Sequence, residues 1–244
     1  MSDNDNTIRR LFKSGGLLLV GLVVQLAISF LGKLIIARGL SIDDFGGVAL
    51  GMTMASIVST ILILGLNEGV ARNLPRQNTD ADRRGVLFSA LAMTVPLAIL
   101  AGGAVVVGAP LIASVFNSPG ITPVLRIFGL VIPLTVTFRL VLATVQGQQR
   151  SAPKVVIENL ARPITRFTAL GVVILLGISA VRVAWAYFLG WLVPVLIGLA
   201  YLYRSTNLFT VGMPRSRKYR ELLRFSAPLL LSAALTMVFS DLDT

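Results

Sequence analysis

Long apolar stretches alternate with short polar connections along almost the whole chain. A run of about 20 predominantly apolar residues can cross a bilayer as a helix. Backbone groups in hydrocarbon need hydrogen bonds within their own segment, so we expect every span to be an α-helix. The pattern predicts six complete spans and the start of a seventh near residue 225, with approximate limits 15–37, 46–69, 86–109, 121–146, 155–178 and 183–203.

The basic residues between the predicted spans lie almost entirely on one side of the membrane. The segments 1–14, 70–85, 147–154 and 204–224 hold 15 of the 22 lysines and arginines, the other connections hold 2, and 5 lie within spans. Cytoplasmic connections of membrane proteins carry an excess of Lys and Arg. We therefore predict a multi-pass membrane protein whose N-terminus and even-numbered connections are cytoplasmic.

The end of the chain repeats its beginning at an offset of 211 residues. The first copy, IRRLFKSGGLLLVGLVVQLAIS, starts at Ile8, and the second, YRELLRFSAPLLLSAALTMVFS, starts at Tyr219. Such repeats are typical of transporters whose substrate site lies between two halves. We expect an all-α membrane protein: a six-helix transmembrane lobe with a basic cytoplasmic connection over residues 1–224, then the start of a second, repeated lobe over residues 225–244. In this interpretation the seventh helix is truncated at Thr244.

Composition supports the membrane assignment and narrows the chemistry. Hydrophobic residues make up 55% and charged residues 14% of the chain, and the mean hydropathy is +0.82. The net charge of +11 follows the predicted topology, so we expect no nucleic-acid partner. Cys and His are absent, which removes thiol chemistry and the commonest general base and metal ligand. The cytoplasmic segments also lack a convincing acidic cluster, so we expect no metal site, no cofactor and no enzymatic activity.

Four segments, in this order, resemble those of one family. They are LIIARGLSIDDFGGVALGM after span 1, LGLNEGVARNLPR at the end of span 2, QGQQRSAPKVVIENLARPITRF leading into span 5, and RELLRFSAPLLLS at the start of the repeat. The chain resembles the polysaccharide-biosynthesis membrane proteins, which are the oligosaccharide flippases of the multidrug/oligosaccharidyl-lipid/polysaccharide exporter superfamily. The resemblance implies two six-helix lobes around a central cavity.

The resemblance also implies a cargo: a glycan on a polyprenyl phosphate or pyrophosphate. A flippase of this family would move it by alternating access from the cytoplasmic to the outer leaflet of the cell membrane, for surface polysaccharide or glycoprotein assembly. We expect this chain to need the missing C-terminal lobe or a second copy of itself. Two alternatives stay open: a multidrug exporter of the same superfamily, for which Asp241 and Asp243 offer a cation site, and a non-transporting membrane assembly subunit.

Charged residues within the predicted spans are the candidates for cargo binding, because a charge in hydrocarbon is costly and usually faces a cavity or a partner. Span 5 contains Glu158, Arg162 and Arg166, which are four residues apart and so share one helix face. Arg166 is near mid-bilayer, about 16 Å from the inner end of the span. The planar guanidinium group of arginine can bind, with two parallel hydrogen bonds, the phosphate that joins the lipid to the glycan. We also expect Pro163 to bend the helix toward the cavity. The alternatives are a Glu158–Arg162 salt bridge and, for Arg166, a structural pair with an acid on another helix.

Further candidates for cargo binding lie on spans 1 and 4. Gln25, Ser29 and Lys33 form a polar stripe on span 1 that we expect to face the bundle interior. Interhelical hydrogen bonding is the preferred role for Gln25, and snorkelling to the outer interface is an equal alternative for Lys33. Arg126 and Arg139 are 13 residues apart on span 4 and so on different faces of an unkinked helix. Snorkelling to an interface is the alternative for both arginines, and we rank Arg139 above Arg126 because it lies deeper.

Overall fold

The computed structural model describes residues 32, 34, 36–63, 65–148 and 151–205, without the side chains of residues 151 and 152. The predicted first span is described only at its end, where residues 36–39 are helical. The predicted seventh helix and the boundary between the two predicted domains lie outside the described residues. The fold below therefore concerns the core of the predicted six-helix lobe.

The described part of the chain is built of helices joined by short turns. The α-helices are α1 (Ile42–Ile63), α2 (Leu66–Asn73), α3 (Asp80–Val115), α4 (Thr122–Gly147), α5 (Ser151–Val155), α6 (Arg162–Leu175) and α7 (Ala180–Ser205). Turns of 3-10 helix at Leu74–Arg76 and Pro119–Ile121 precede α3 and α4, and a π-helical turn at Val156–Ala161 joins α5 to α6.

The all-α membrane class is confirmed, and four of the helices are long and apolar enough to cross a membrane: α1, α3, α7, and α4 together with the turn before it. α4 begins and ends within one residue of predicted span 4. The predicted end of span 2 at residue 69 is wrong, because Gly65 has a φ of 68° and separates α1 from α2. Predicted span 5 corresponds to α5, the π-helical turn and α6 in sequence, and the total of six spans stays a prediction.

α4 is the central helix of the described bundle. It packs against α1, α2, α3 and α7, and its side chains Leu125, Ile132 and Leu140 are completely buried. Gly102 of α3 faces Gly129 of α4, where a Cβ on Gly102 would lie 2.5 Å from the Gly129 carbonyl oxygen. Glycines at such a crossing let two membrane helices approach closely and gain packing contacts. α4 is thereby fixed on one side, and its other side forms a wall of the site described below.

The helix that carries the span 5 charges changes pitch just before its arginines. Pro163 has no backbone N–H, and its ring would clash with the carbonyl four residues earlier in a regular α-helix. The wider π-helical turn at Val156–Ala161 lies immediately before it. Such turns are rare and occur frequently at functional sites. Pro163 is therefore accompanied by a change of helical pitch, which changes the direction of Arg162 around the helix axis relative to Glu158.

α6 and α7 form an antiparallel pair joined by a tight turn. Gly177 has a φ of 92°, which favours glycine, and it reverses the chain after α6. Arg182 donates hydrogen bonds of 2.7 Å to the carbonyl oxygens of Leu176 and Gly177, the two residues that follow α6, so the first turn of α7 holds the turn between the helices in place. This turn sets which residues of the two helices face each other.

Candidate functional site

A cavity of about 400 Å³ lies between α1, α4, α6, α7 and the π-helical turn. Apolar side chains such as Met52, Val131 and Leu142 form part of its wall. Its remaining described lining is charged, aromatic or hydroxylated: Arg139, Glu158, Arg162, Arg166, Phe128, Phe138, Tyr187, Trp191, Ser56 and Thr135. The cavity thus brings together four of the residues that the sequence predicts for cargo binding, from two separate spans.

Arg162 lies on the face of an aromatic ring rather than beside an acid. Its guanidinium carbon is 4.0 Å from the centroid of the Trp191 ring and 5.8 Å from that of Phe138. A guanidinium over an indole face is attracted by the ring quadrupole, and the attraction is strongest where water is excluded. The predicted alternative for Arg162, a salt bridge with Glu158, is not formed: Glu158 pairs with Lys154 instead.

Arg166 makes the equivalent contact with Tyr187, one turn away on α7. Its guanidinium carbon is 4.3 Å from the Tyr187 ring centroid, and its Nη2 donates a hydrogen bond to the Tyr187 hydroxyl. Its Nε is buried and has no hydrogen-bond partner among the described residues. A buried unpaired donor on a charged group is costly. The guanidinium group of Arg166 thus lies in the cavity lining without an acidic partner, while its Nε is enclosed by protein.

Arg139 reaches the same cavity from α4. It is half-buried, and its Nη1 donates a hydrogen bond of 3.3 Å to the Thr60 hydroxyl of α1. Snorkelling to an interface, the alternative for this residue, would direct the side chain away from the cavity that it lines. The three cavity arginines are therefore held by different helices: Arg139 by α1, and Arg162 and Arg166 by α7.

Glu158 is the one acidic side chain in the described lining of the cavity. Its carboxylate lies 4.0 Å from the ammonium group of Lys154, one turn earlier, and that ammonium group also donates a 3.0 Å hydrogen bond to Gln146. The ammonium group of Lys154 offsets part of this acid's charge, and the cavity lining holds three arginines against one acid. The three arginines consequently leave the cavity with a net positive charge.

The remaining predicted binding residues lie elsewhere. Arg126 is exposed near the start of α4 and does not line the cavity, so the structure does not bring this predicted binding residue together with the other arginines. Gln25 and Lys33 lie outside the residues whose side chains the structure describes, so their role in binding stays a prediction. Within the described ranges no group of three or more His, Cys, Asp or Glu residues is arranged to hold a metal ion.

The sequence interpretation missed the aromatic partners of the arginines. Tyr187 and Trp191 are four residues apart on α7, the same spacing as Arg162 and Arg166 on α6. Two matched i,i+4 pairs on helices joined by a short turn are a signal that the sequence does contain. The signal is easily missed, because an acid is the expected partner of an arginine within a membrane.

The fold and the cavity together define a class: a helical membrane lobe with a cationic cavity inside the bundle. The chain belongs to the polysaccharide biosynthesis protein family, whose sequence pattern it matches over residues 11–244. No curated protein matches the chain closely enough to add to this.

One solved structure shares the fold. It is described as the outward-facing conformation of a multidrug resistance MATE family transporter of the MOP superfamily, with a TM-score of 0.64 and 18% sequence identity. The match covers 90% of this chain and 52% of the transporter, so the chain spans about half the length of that protein. At this identity the likeness concerns the fold of one half of such a transporter.

Proposed function

We propose that this chain is one lobe of a flippase that moves a lipid-linked oligosaccharide from the cytoplasmic to the outer leaflet of the cell membrane. The observation that carries the proposal is the convergence of Arg139, Arg162 and Arg166 on one cavity whose described acid, Glu158, is paired with Lys154. A cavity of this charge suits an anion. The chain belongs to a polysaccharide biosynthesis protein family, and a lipid-linked glycan is an anion that polysaccharide biosynthesis would use.

The phosphate or diphosphate joint of a polyprenyl-linked glycan is the part of the cargo that hydrocarbon excludes most strongly. Arginine binds phosphate with two parallel hydrogen bonds and keeps its charge when it is partly dehydrated. Arg166 lines the cavity and has no salt-bridge partner among the described residues. In our proposal Arg166 and Arg162 hold the joint, Arg139 adds charge from the opposite helix, and Glu158 with Lys154 orients the group.

An apolar pocket beside the cavity suits the lipid part of the same cargo. It has a volume of about 210 Å³ and shares the wall residues Met52 and Tyr187 with the cavity. Its other described walls are Ile36, Phe45 and Val48, together with Ala49 and Thr53. A charged cavity with an apolar pocket beside it suits a molecule whose phosphate group is followed by an isoprenoid chain.

Multidrug export is the second candidate, because the solved structure with this fold is described as a multidrug resistance transporter. A cationic drug would meet three arginines and one already paired acid in this cavity. Two positive charges within one cavity repel each other strongly where the dielectric constant is low. The charge of the cavity therefore favours the anionic lipid, and with it the flippase over a multidrug exporter or a non-transporting subunit.

Binding preference tests the proposal directly. The purified chain in nanodiscs would be titrated with undecaprenyl diphosphate, with neutral undecaprenol and with the cationic dye ethidium. We expect the diphosphate to bind at least about tenfold more tightly than the alcohol, as charge-assisted hydrogen bonds to arginine imply. Equal binding of the alcohol, or tighter binding of ethidium, would rule out an anion site.

A further inference from the structure

The arginines of α6 and the aromatic residues of α7 form two matched pairs, which we call the arginine–aromatic ladder: Arg162 on Trp191 and Arg166 on Tyr187. The guanidinium carbons lie 4.0 Å and 4.3 Å from the two ring centroids. Gly190 lies between the pairs, and a Cβ there would be 3.3 Å from the Cβ of Arg166. The absence of a side chain at residue 190 lets the two helices approach closely enough for the rings and guanidinium groups to stack.

A guanidinium group within a membrane needs a neighbouring group that stabilises its charge. The kind of neighbour decides whether the arginine keeps N–H donors free to bind a ligand. A carboxylate neutralises the charge and occupies the N–H groups at the edge of the guanidinium plane. An aromatic face stabilises the charge through its quadrupole and covers only the flat face of the guanidinium. Arginines stacked on rings therefore keep both their charge and most of their in-plane donors.

We propose that Trp191 and Tyr187 are positioning residues for anion binding, which hold Arg162 and Arg166 charged and in place without neutralising them. The inference rests on the proposed function and deepens it by naming the residues that prepare the phosphate-binding arginines. It explains how two arginines remain at this depth although the one acid in the described cavity lining is paired with Lys154.

The rings of the ladder are themselves fixed by the central helix. Phe138 packs edge-on against Trp191 with centroids 5.3 Å apart, and Phe128 packs against Tyr187 at 5.9 Å. Both phenylalanines are buried, with 2% of their surface exposed. Side chains locked by packing of this kind keep a binding group close to its productive geometry before the ligand arrives. The ladder is thus a preorganised part of the cavity.

The stacking can be tested without any ligand. The chain contains two tryptophans, so Trp185→Phe leaves Trp191 as the only tryptophan reporter. In this background Arg162→Met should change the emission of Trp191, because it removes the cation from the indole face. Arg126→Met is the matched control, since Arg126 is exposed and outside the cavity, and it should leave the emission unchanged.

The positioning role is tested with radiolabelled farnesyl diphosphate and, for comparison, neutral farnesol, each measured per folded molecule of the full chain in detergent. Trp191→Leu and Tyr187→Leu should each weaken diphosphate binding about tenfold, equivalent to about 1.4 kcal/mol, and leave farnesol binding unchanged. Trp191→Phe and Tyr187→Phe keep a ring under the guanidinium and should retain binding within about threefold.

The outcomes separate this inference from the proposed function. The inference alone is wrong if the unmodified chain prefers the diphosphate but Trp191→Leu keeps that preference, or if Trp191→Leu loses farnesol to the same extent. Unchanged Trp191 emission in Arg162→Met would also overturn it. If the unmodified chain shows no preference for the diphosphate over farnesol, the proposed function is wrong, and the positioning role falls with it.

Discussion

Three arginine side chains line the cavity inside the described helical bundle, one held by a hydroxyl group and two by aromatic rings. Arg139 donates to the Thr60 hydroxyl, Arg162 lies on the Trp191 ring, and Arg166 lies on the Tyr187 ring. None of these contacts neutralises a guanidinium. Charged side chains within membrane helices usually face a ligand or another charged group. Because all three arginines line one cavity, we favour binding of a ligand over a structural role.

At the residue scale we predict that diphosphate binding by Arg166 requires the two-point hydrogen bonding of a guanidinium group and not only a positive charge. Arg166→Ala should weaken the binding of undecaprenyl diphosphate by at least about tenfold per folded molecule, because a charge-assisted hydrogen bond is lost. Arg166→Lys should recover only part of the loss, since an ammonium group cannot make the two-point contact.

Arg126→Ala is the matched control for these variants, because it removes the same side chain from α4 outside the cavity. It should bind the diphosphate as the unmodified chain does. Unchanged binding by both Arg166 variants would mean that span 5 does not hold the cargo. A lower yield of folded protein with normal binding per molecule would instead assign Arg166 a structural role.

At the scale of the helices, the sequence predicts some features well and others poorly, for physical reasons. α4 is predicted within one residue because it is a long, predominantly apolar run that Pro119 and Gly120 precede and Gly147 ends. The break at Gly65 was missed because a single glycine in an apolar run is common in membrane helices. The π-helical turn before Pro163 was expected only as a bend, since sequence periodicity does not distinguish a bend from a change of pitch.

The glycine crossing of α3 and α4 gives a prediction about helix packing. Gly102→Ala would bring a Cβ to 2.5 Å from the Gly129 carbonyl oxygen and 3.2 Å from the Pro133 Cδ, so the helices must separate. We expect a loss of about 1–3 kcal/mol, the usual cost of overpacking, seen as a lower Tm in detergent. Gly103→Ala is the control: nothing lies within 4 Å of its Cβ, and it should be neutral or slightly stabilising. Equal Tm values for the two variants would contradict the packing described here.

At the scale of the whole molecule, the described helices match half of a transporter fold, and their connections fit one orientation in the membrane. The division of 15 basic residues against 2 between the two sets of connections predicts a cytoplasmic N-terminus. The likeness to 52% of a MOP superfamily transporter agrees with the predicted repeat of lobes. Both the orientation and the repeat can be predicted from the sequence, because neither the distribution of charges nor an internal repeat requires knowledge of contacts between helices.

The orientation is tested by cysteine labelling in this Cys-free chain. Asn117 lies in the exposed turn between α3 and α4, which we predict to be outside the cell, and Ser216 lies in the basic connection that we predict to be cytoplasmic. An impermeant thiol reagent added to intact cells should label Asn117→Cys and not Ser216→Cys. The opposite pattern would reverse the proposed orientation.

The proposed two-lobe organisation predicts that residues 1–244 alone do not translocate cargo. Alternating access in transporters built from repeats is largely the rocking of one repeat against the other, so a cavity within one lobe can bind cargo without moving it across the membrane. In liposomes the chain should give no movement of a lipid-linked oligosaccharide above that of empty vesicles, although it should bind polyprenyl diphosphate. Robust translocation would contradict this, and the mass of the active particle would then show whether two copies had assembled.

The central claim is that the cavity of this lobe holds the phosphate joint of a polyprenyl-linked cargo. The most direct measurement is photocrosslinking with a polyprenyl diphosphate that carries a photoreactive group beside the phosphates, followed by peptide mapping. The account predicts adducts within residues 158–166 and 187–191, reduced by excess undecaprenyl diphosphate and not by undecaprenol. Adducts confined to exposed apolar residues of α3, such as Leu100 and Leu111, or adducts that undecaprenol displaces equally well, would contradict it.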